Sequence, residues 1–219
     1  MSLWTYTSDF ESGYSAGNLT GQDSWALGVG TMTVTTAQAN EGTQSVTASS
    51  SANNGRERVI STVTTDGALM YFSLRASSVA TAGGIGGIDF FQSTSTLIGQ
   101  ILMNFPLAGD ITFRLASGSA GSPKIQTSAA ANTWYRIGIE FNFTANEVRC
   151  NINNGTFGAW IATGMSLDSV DKIVLNTISD GASYDFFWDS IRATHDAPGG
   201  GGFTPTPLMH QRLMAGGVV

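Results

Sequence analysis

Short runs of alternating apolar and polar residues, separated by Glu-Gly, Asp-Gly and Asn-Gly turns, recur along this chain from Met32 to Arg192. Alternation with a period of two sends successive side chains to opposite faces of a strand, so each run offers one apolar and one wet face. Met32-Thr33-Val34-Thr35 alternates, and Gln44-Ser45-Val46-Thr47 follows the Glu41-Gly42 turn. Val59 to Val63 leads through Asp66-Gly67 into Leu69 to Arg75. Asp-Gly between two β-rich runs is a strong hairpin signal. Further strands are predicted at Ile88 to Phe91, Ile98 to Asn104, Asp110 to Leu115, Trp134 to Phe141, Glu147 to Ile152, Val170 to Asn176 and Tyr184 to Arg192. Asn153-Asn154-Gly155 and Asp180-Gly181 supply turns. Helical periodicity is nearly absent, and a strand plus turn about every ten residues is the cadence of a β-sandwich or jelly roll.

A chain of 219 residues can bury one large core without disulfides. Its single cysteine, Cys150, cannot pair internally, and it alternates with Val148 and Ile152 as a buried, inert thiol would. A net charge of −6 with two lysines excludes the Lys/Arg cluster that nucleic-acid binding needs. Arg56 and Arg58 flank Glu57 and read as one solvated strand face. No apolar run reaches the roughly 18 residues of a membrane span. The first basic residue is Arg56, so the start of the chain lacks the basic and apolar stretches of a secretory signal. Synthesis in a cytoplasm is the expectation.

The order of the elements resembles a known family. Asp9-Phe10-Glu11-Ser12-Gly13 and Gly21-Gln22-Asp23-Ser24-Trp25 resemble the first strands of concanavalin A-like lectin/glucanase jelly rolls, which include laminin G-like domains. Trp134-Tyr135-Arg136-Ile137, with Glu147 to Gly155 after it, is similar to the family's "W-x-x-I…N-x-V…N-G" hairpin, and Phe187-Trp188-Asp189-Ser190-Ile191 to its closing "F-x-D-x-I" strand. The resemblance implies two stacked antiparallel sheets, one curved into a concave face, over residues 1–196.

Members that cut β-glucans carry an E-x-D-x-x-E strand, and retaining hydrolysis requires two carboxyls about 5–5.5 Å apart. That motif is absent here, and the nearest carboxylate pairs are Asp9/Glu11, Asp168/Asp171 and Asp185/Asp189. There is no G-x-S-x-G, and the two histidines, His195 and His210, lie near the C-terminal end. The expectation is a non-enzyme that requires no cofactor. The resemblance also raises a structural calcium on Asp9, Glu11 and Asp189, since hard oxygen ligands suit that ion. The alternative, that Glu11 and Asp189 are satisfied by backbone N–H groups or by arginine, is preferred. Glycan binding is the family's common non-catalytic role. Its candidates here are Trp25, Trp160, Tyr184 and Tyr14, with Asn153 and Asn154 on a loop, each weighed against a core or plain surface position. Trp134 and Trp188 are expected to face the core. Three Asn-x-Thr sequons, at Asn18, Asn142 and Asn154, carry little without secretion.

After the sandwich, residues 197–203 have the composition of a glycine-rich tether. Residues 204–219 form an expected anchoring arm. Thr204-Pro205-Thr206-Pro207 is stiff and extended, and Pro207 can open a short helix carrying Leu208, Met209, Leu213 and Met214, followed by Val218 and Val219. The leading expectation is a non-enzymatic virion structural protein, a phage capsid decoration, cement or surface fibre component. Pro207 and the apolar residues of the arm would bind capsid or other virion subunits, with a homo-oligomer as a further partner. The alternative is an extracellular carbohydrate-binding module or lectin with glycans as partners; neither reading involves nucleic acid or membrane.

Overall fold

The computed structural model describes Trp4 and residues 6–81, 83–116, 124–179 and 182–193. Its strands are, in chain order, β1 (Gly17–Asn18), β2 (Ala26–Leu27), β3 (Thr33–Thr35), β4 (Ser45–Ser49) and β5 (Asn54–Val63). They continue with β6 (Ala68–Ala76), β7 (Gly84–Gln92), β8 (Thr96–Met103), β9 (Ile111–Leu115) and β10 (Lys124–Gln126). The last are β11 (Tyr135–Asn142), β12 (Glu147–Ile152), β13 (Ile161–Ala162), β14 (Val170–Ser179) and β15 (Asp185–Arg192). They form two antiparallel sheets, an eight-stranded one of order β1-β3-β4-β15-β6-β11-β12-β13 and a seven-stranded one of order β10-β9-β8-β7-β14-β5-β2. This is the jelly-roll sandwich that the alternation implies.

Each sheet turns one face inward. From the eight-stranded sheet Met70, Phe72, Leu74, Ile137, Ile139, Phe141, Phe186 and Trp188 enter the core, and from the other Ile88, Phe90, Ile101, Phe113, Ile173 and Leu175 meet them. The residues between them face out, so the two outer faces are set by register alone. Trp188 is fully buried as expected, and its indole N–H donates to the Gly87 carbonyl of the opposite sheet at 2.9 Å.

Several expectations are corrected. Trp134 does not face the core. It is half-buried beyond the start of β11, with its ring edge-on to Phe187 of β15 at 6.4 Å. Asp9 and Glu11 occupy a turn after the isolated Ser8–Ile191 bridge, so their even spacing aims them nowhere in common. Arg56 and Arg58 do not share a solvated face. Arg56 is 1% exposed, because its guanidinium turns inward to cap the carbonyls of Val29, Gly30 and Gly55. Arg58 lies over the Tyr6 ring and pairs with Asp23. The Asp180-Gly181 turn, residues 197–203 and residues 204–219 fall outside the described residues.

Candidate functional site

The outer face of the seven-stranded sheet carries a polar row fixed by strand register. Glu57 on β5 pairs with Val174 on β14, Val174 with Asp89 on β7, Asp89 with Gln100 on β8, and Gln100 with Arg114 on β9. Asp89 sits between the inward Ile88 and Phe90, and Val174 between the inward Ile173 and Leu175, so the row faces out. Nevertheless Asp89 is only 9% exposed, since its neighbours close around it.

Asp89 Oδ1 accepts from Gln100 Nε2 at 2.8 Å and from Asn176 Nδ2. Burial pushes this carboxyl up to about 7, against the pull of the two amides and of the Arg114 and Lys172 charges. Asn176 must turn its NH₂ toward the carboxylate, which leaves its Oδ1 buried with no donor among the described residues. Beside the row, Lys172 Nζ lies 4.5 Å from the Phe91 ring centre and 3.0 Å from Glu57 Oε2. Arg114 covers Phe105. Carboxyl, amides, two cations and an aromatic ring thus share one sheet face. Such a set contains donors and acceptors of the kind a polyhydroxylated ligand uses.

The glycan-binding residues expected from the sequence are not brought together. Trp25 is 1% exposed and belongs to the core, where its Nε1 donates to Tyr14 Oη at 3.1 Å and its ring packs beside Tyr6 and Phe10. Tyr14 is spent on Trp25, Ser8 and Asp23. Trp160 is half-buried under Arg149, 4.4 Å from its guanidinium, and lines a pocket of about 320 Å³ with Cys150 and Ile125. Tyr184 binds Thr81 through its hydroxyl at 2.7 Å. Asn153 and Asn154 are exposed in the left-handed turn after β12, and the Asn153 side-chain oxygen accepts from Arg136 N at 3.0 Å.

Asp9, Glu11 and Asp189 likewise do not form a ligand set. Asp9 Oδ1 accepts from the Glu11 N–H, and Glu11 accepts from the N–H groups of Thr43 and Gln44 and the Thr43 hydroxyl. Asp189 Oδ2 accepts from the N–H groups of Asn40 and Glu41 at 2.8 and 2.9 Å. Their lone pairs address backbone rather than one another. Among the described residues no cluster of three or more His, Cys, Asp or Glu is poised to hold a metal ion. Cys150 is buried as expected, and desolvation raises its thiol far above the usual range. The arm residues Pro207, Leu208, Met209, Leu213, Met214, Val218 and Val219 lie outside the described residues.

No family model and no curated protein matches this chain. Solved structures do. A sialidase aligns over 77% of this chain at 12% identity with a TM-score of 0.57, and the chain spans 16% of that protein's length. A GH16 enzyme of the Bacteroides ovatus mixed-linkage glucan locus, solved with its G4G4G3G product, aligns over 85% of this chain and 98% of its own at 9% identity and a TM-score of 0.51. An endo-acting O-glycanase of the human gut microbiota aligns over 85% and 97% at 9% identity and a TM-score of 0.50. At such identities the likeness shows the fold alone, a concanavalin A-like jelly-roll sandwich of two antiparallel sheets.

Proposed function

We propose that this sandwich is a non-enzymatic carbohydrate-binding module whose binding surface is the outer face of the seven-stranded sheet, centred on Asp89. One observation carries the reading: a carboxyl held by two side-chain amides in the middle of a sheet face, with cations and an aromatic ring around it. Binding without cleavage is supported by the row itself, whose carboxylates are Asp89 and Glu57. The other carboxylate of the row, Glu57, stands two strands away, about 10 Å between backbones, and is paired with Lys172. That separation exceeds the one retaining hydrolysis uses, and against an inverting mechanism, whose carboxyls stand about 6.5–9.5 Å apart, stands the ion pair that occupies Glu57.

The test is a glycan array on the wild-type chain and on Asp89→Ala and Asn176→Ala. Saturable binding that falls at least tenfold in both variants, with no reducing ends released from the bound glycan, is the expected result. Binding indifferent to both variants, or steady release of reducing ends, overturns it. Attachment to a larger particle through residues 204–219 is a separate proposal that rests on the sequence alone. Its expected result is lost incorporation, with glycan binding retained, when residues 198–219 are removed.

A further inference from the structure

The opposite face of the molecule carries a second row. On the eight-stranded sheet Thr33 of β3 pairs with Thr47 of β4, Thr47 with Phe187 of β15, and Phe187 with Arg75 of β6. All four lie on the outer face, because their neighbours Val34, Val46, Trp188 and Leu74 are core residues. Four strands in register span about 14 Å. At the β3 end the row opens into a groove of about 380 Å³, lined among others by Thr31, Thr33, Thr35, Ser49, Asp185 and Phe187. At the other end Arg75 lies 4.9 Å over Phe187, and the half-buried Trp134 ring meets Phe187 edge-on.

The groove's hydrogen-bonding capacity is largely unspent. The hydroxyls of Thr31 and Thr33 make no hydrogen bond within the described residues, and the exposed Asp185 carboxylate makes no hydrogen bond or ion pair there. Thr35 and Thr47 each use their hydroxyl once, to the Ala37 N–H and the Phe186 carbonyl. Hydroxyls both donate and accept, whereas a lone carboxylate only accepts. The groove therefore matches a ligand that is itself a line of hydroxyls, and at its Asp185 end it disfavours an anionic one. Phe187 is 8% exposed beneath Arg75, so the half-buried Trp134 beside it supplies the apolar edge that a sugar ring needs.

We infer that this groove is a second glycan site, specific for neutral polysaccharide. Set on the opposite sheet from Asp89, it makes one chain able to bridge two polysaccharide strands. The inference goes beyond the Asp89 reading and stands on separate residues. Two sites back to back raise avidity on a polymer and convert binding into cross-linking.

Three soluble neutral polysaccharides, a β-glucan, a mannan and a xylan, serve as probes in affinity electrophoresis and in light scattering. The proteins are wild type, Asp89→Ala, and the groove variant Thr33→Val with Asp185→Ala; valine preserves strand propensity. With at least one probe, wild type is expected to bind and to raise scattering. The groove variant should keep binding through Asp89, weaken at least fivefold, and lose the scattering, while its thermal unfolding stays as in wild type. If Asp89→Ala leaves binding unchanged but the groove variant abolishes it, the Asp89 reading fails and the groove stands. If the groove variant binds and scatters like wild type, or no probe is bound, the second site is refuted. A groove variant that unfolds early is replaced by Trp134→Ala, at a half-buried position, with the same outcomes deciding.

Discussion

At the scale of single residues, most of the chain's charges are spent inside the fold. Asp89 is the clearest case. Its burial holds the carboxyl at about 7, against about 3.9 in an unfolded chain. A raised carboxyl favours the folded state while protonated, so that contribution is whole below about pH 4 and is lost as pH rises toward 7. Asp89→Asn keeps an acceptor for Gln100 and Asn176 but can never be charged. It is expected to raise the melting temperature at pH 8, with an upper bound of about 4 kcal/mol, and to leave it unchanged at pH 4. Equal melting at pH 8 would show that the wild-type charge is carried at no cost. Arg56 is the converse. Its guanidinium serves the carbonyls of Val29 and Gly30 in the β2–β3 turn and of Gly55 in β5, and since Val29 and Gly55 also bond each other through their backbones, Arg56→Met should cost about 1–3 kcal/mol in urea unfolding, chiefly by taking the donor from the Gly30 carbonyl. Neither role is legible in Arg56-Glu57-Arg58, where alternation alone cannot say which face of the strand is dry. A loop from elsewhere decides it.

At the scale of elements, strands were legible where β-branched and aromatic residues alternate and illegible where glycine replaces them. β7 begins at Gly84, four residues before the start that Ile88 suggests. Glycine is a poor strand former in isolation. Here the sheet needs it, because a Cβ on Gly86 would lie 2.3 Å from the Phe186 ring of the facing sheet. Gly86→Ala should therefore destabilise by about 1–3 kcal/mol through overpacking, read as a shifted urea midpoint at constant slope. The β3–β4 loop was invisible for another reason: its partners are remote. Glu41 pairs with Arg136 at 2.9 Å and with Arg192, while Asp189 and Glu11 hold the backbone on either side. Local composition shows a turn at Glu41-Gly42 and nothing of this clamp. Glu41→Gln removes the carboxylate that pairs with the half-buried Arg136 and the buried Arg192. The expected outcome is at least tenfold faster amide exchange at Asn40 and Glu41, with exchange in β14 unchanged.

At the scale of the whole molecule, architecture was the most legible property and the site the least. Eleven of the fifteen strands among the described residues follow from repeated alternation and turn chemistry, which are local signals, while the two- and three-residue β1, β2, β10 and β13 do not. A binding row is a property of register between strands far apart in sequence, as Glu57, Asp89, Gln100 and Arg114 show. Aromatic residues misled for the same reason. Trp25 looked available and is core, whereas Trp134 looked buried and is half-exposed. The terminal strands of the two sheets have a consequence of their own. β1, β13 and β2 are two residues long and β10 is three, so every border of both sheets closes on a stub. Such a stub offers few N–H and C=O groups of its own to another chain, but β2 covers only Arg56 and Glu57 of the ten-residue β5. The remaining length of β5 is the border where crowded molecules would meet, and an added lysine there, at the exposed Val59 (Val59→Lys), is expected to keep the sandwich a single sedimenting species even at millimolar concentration.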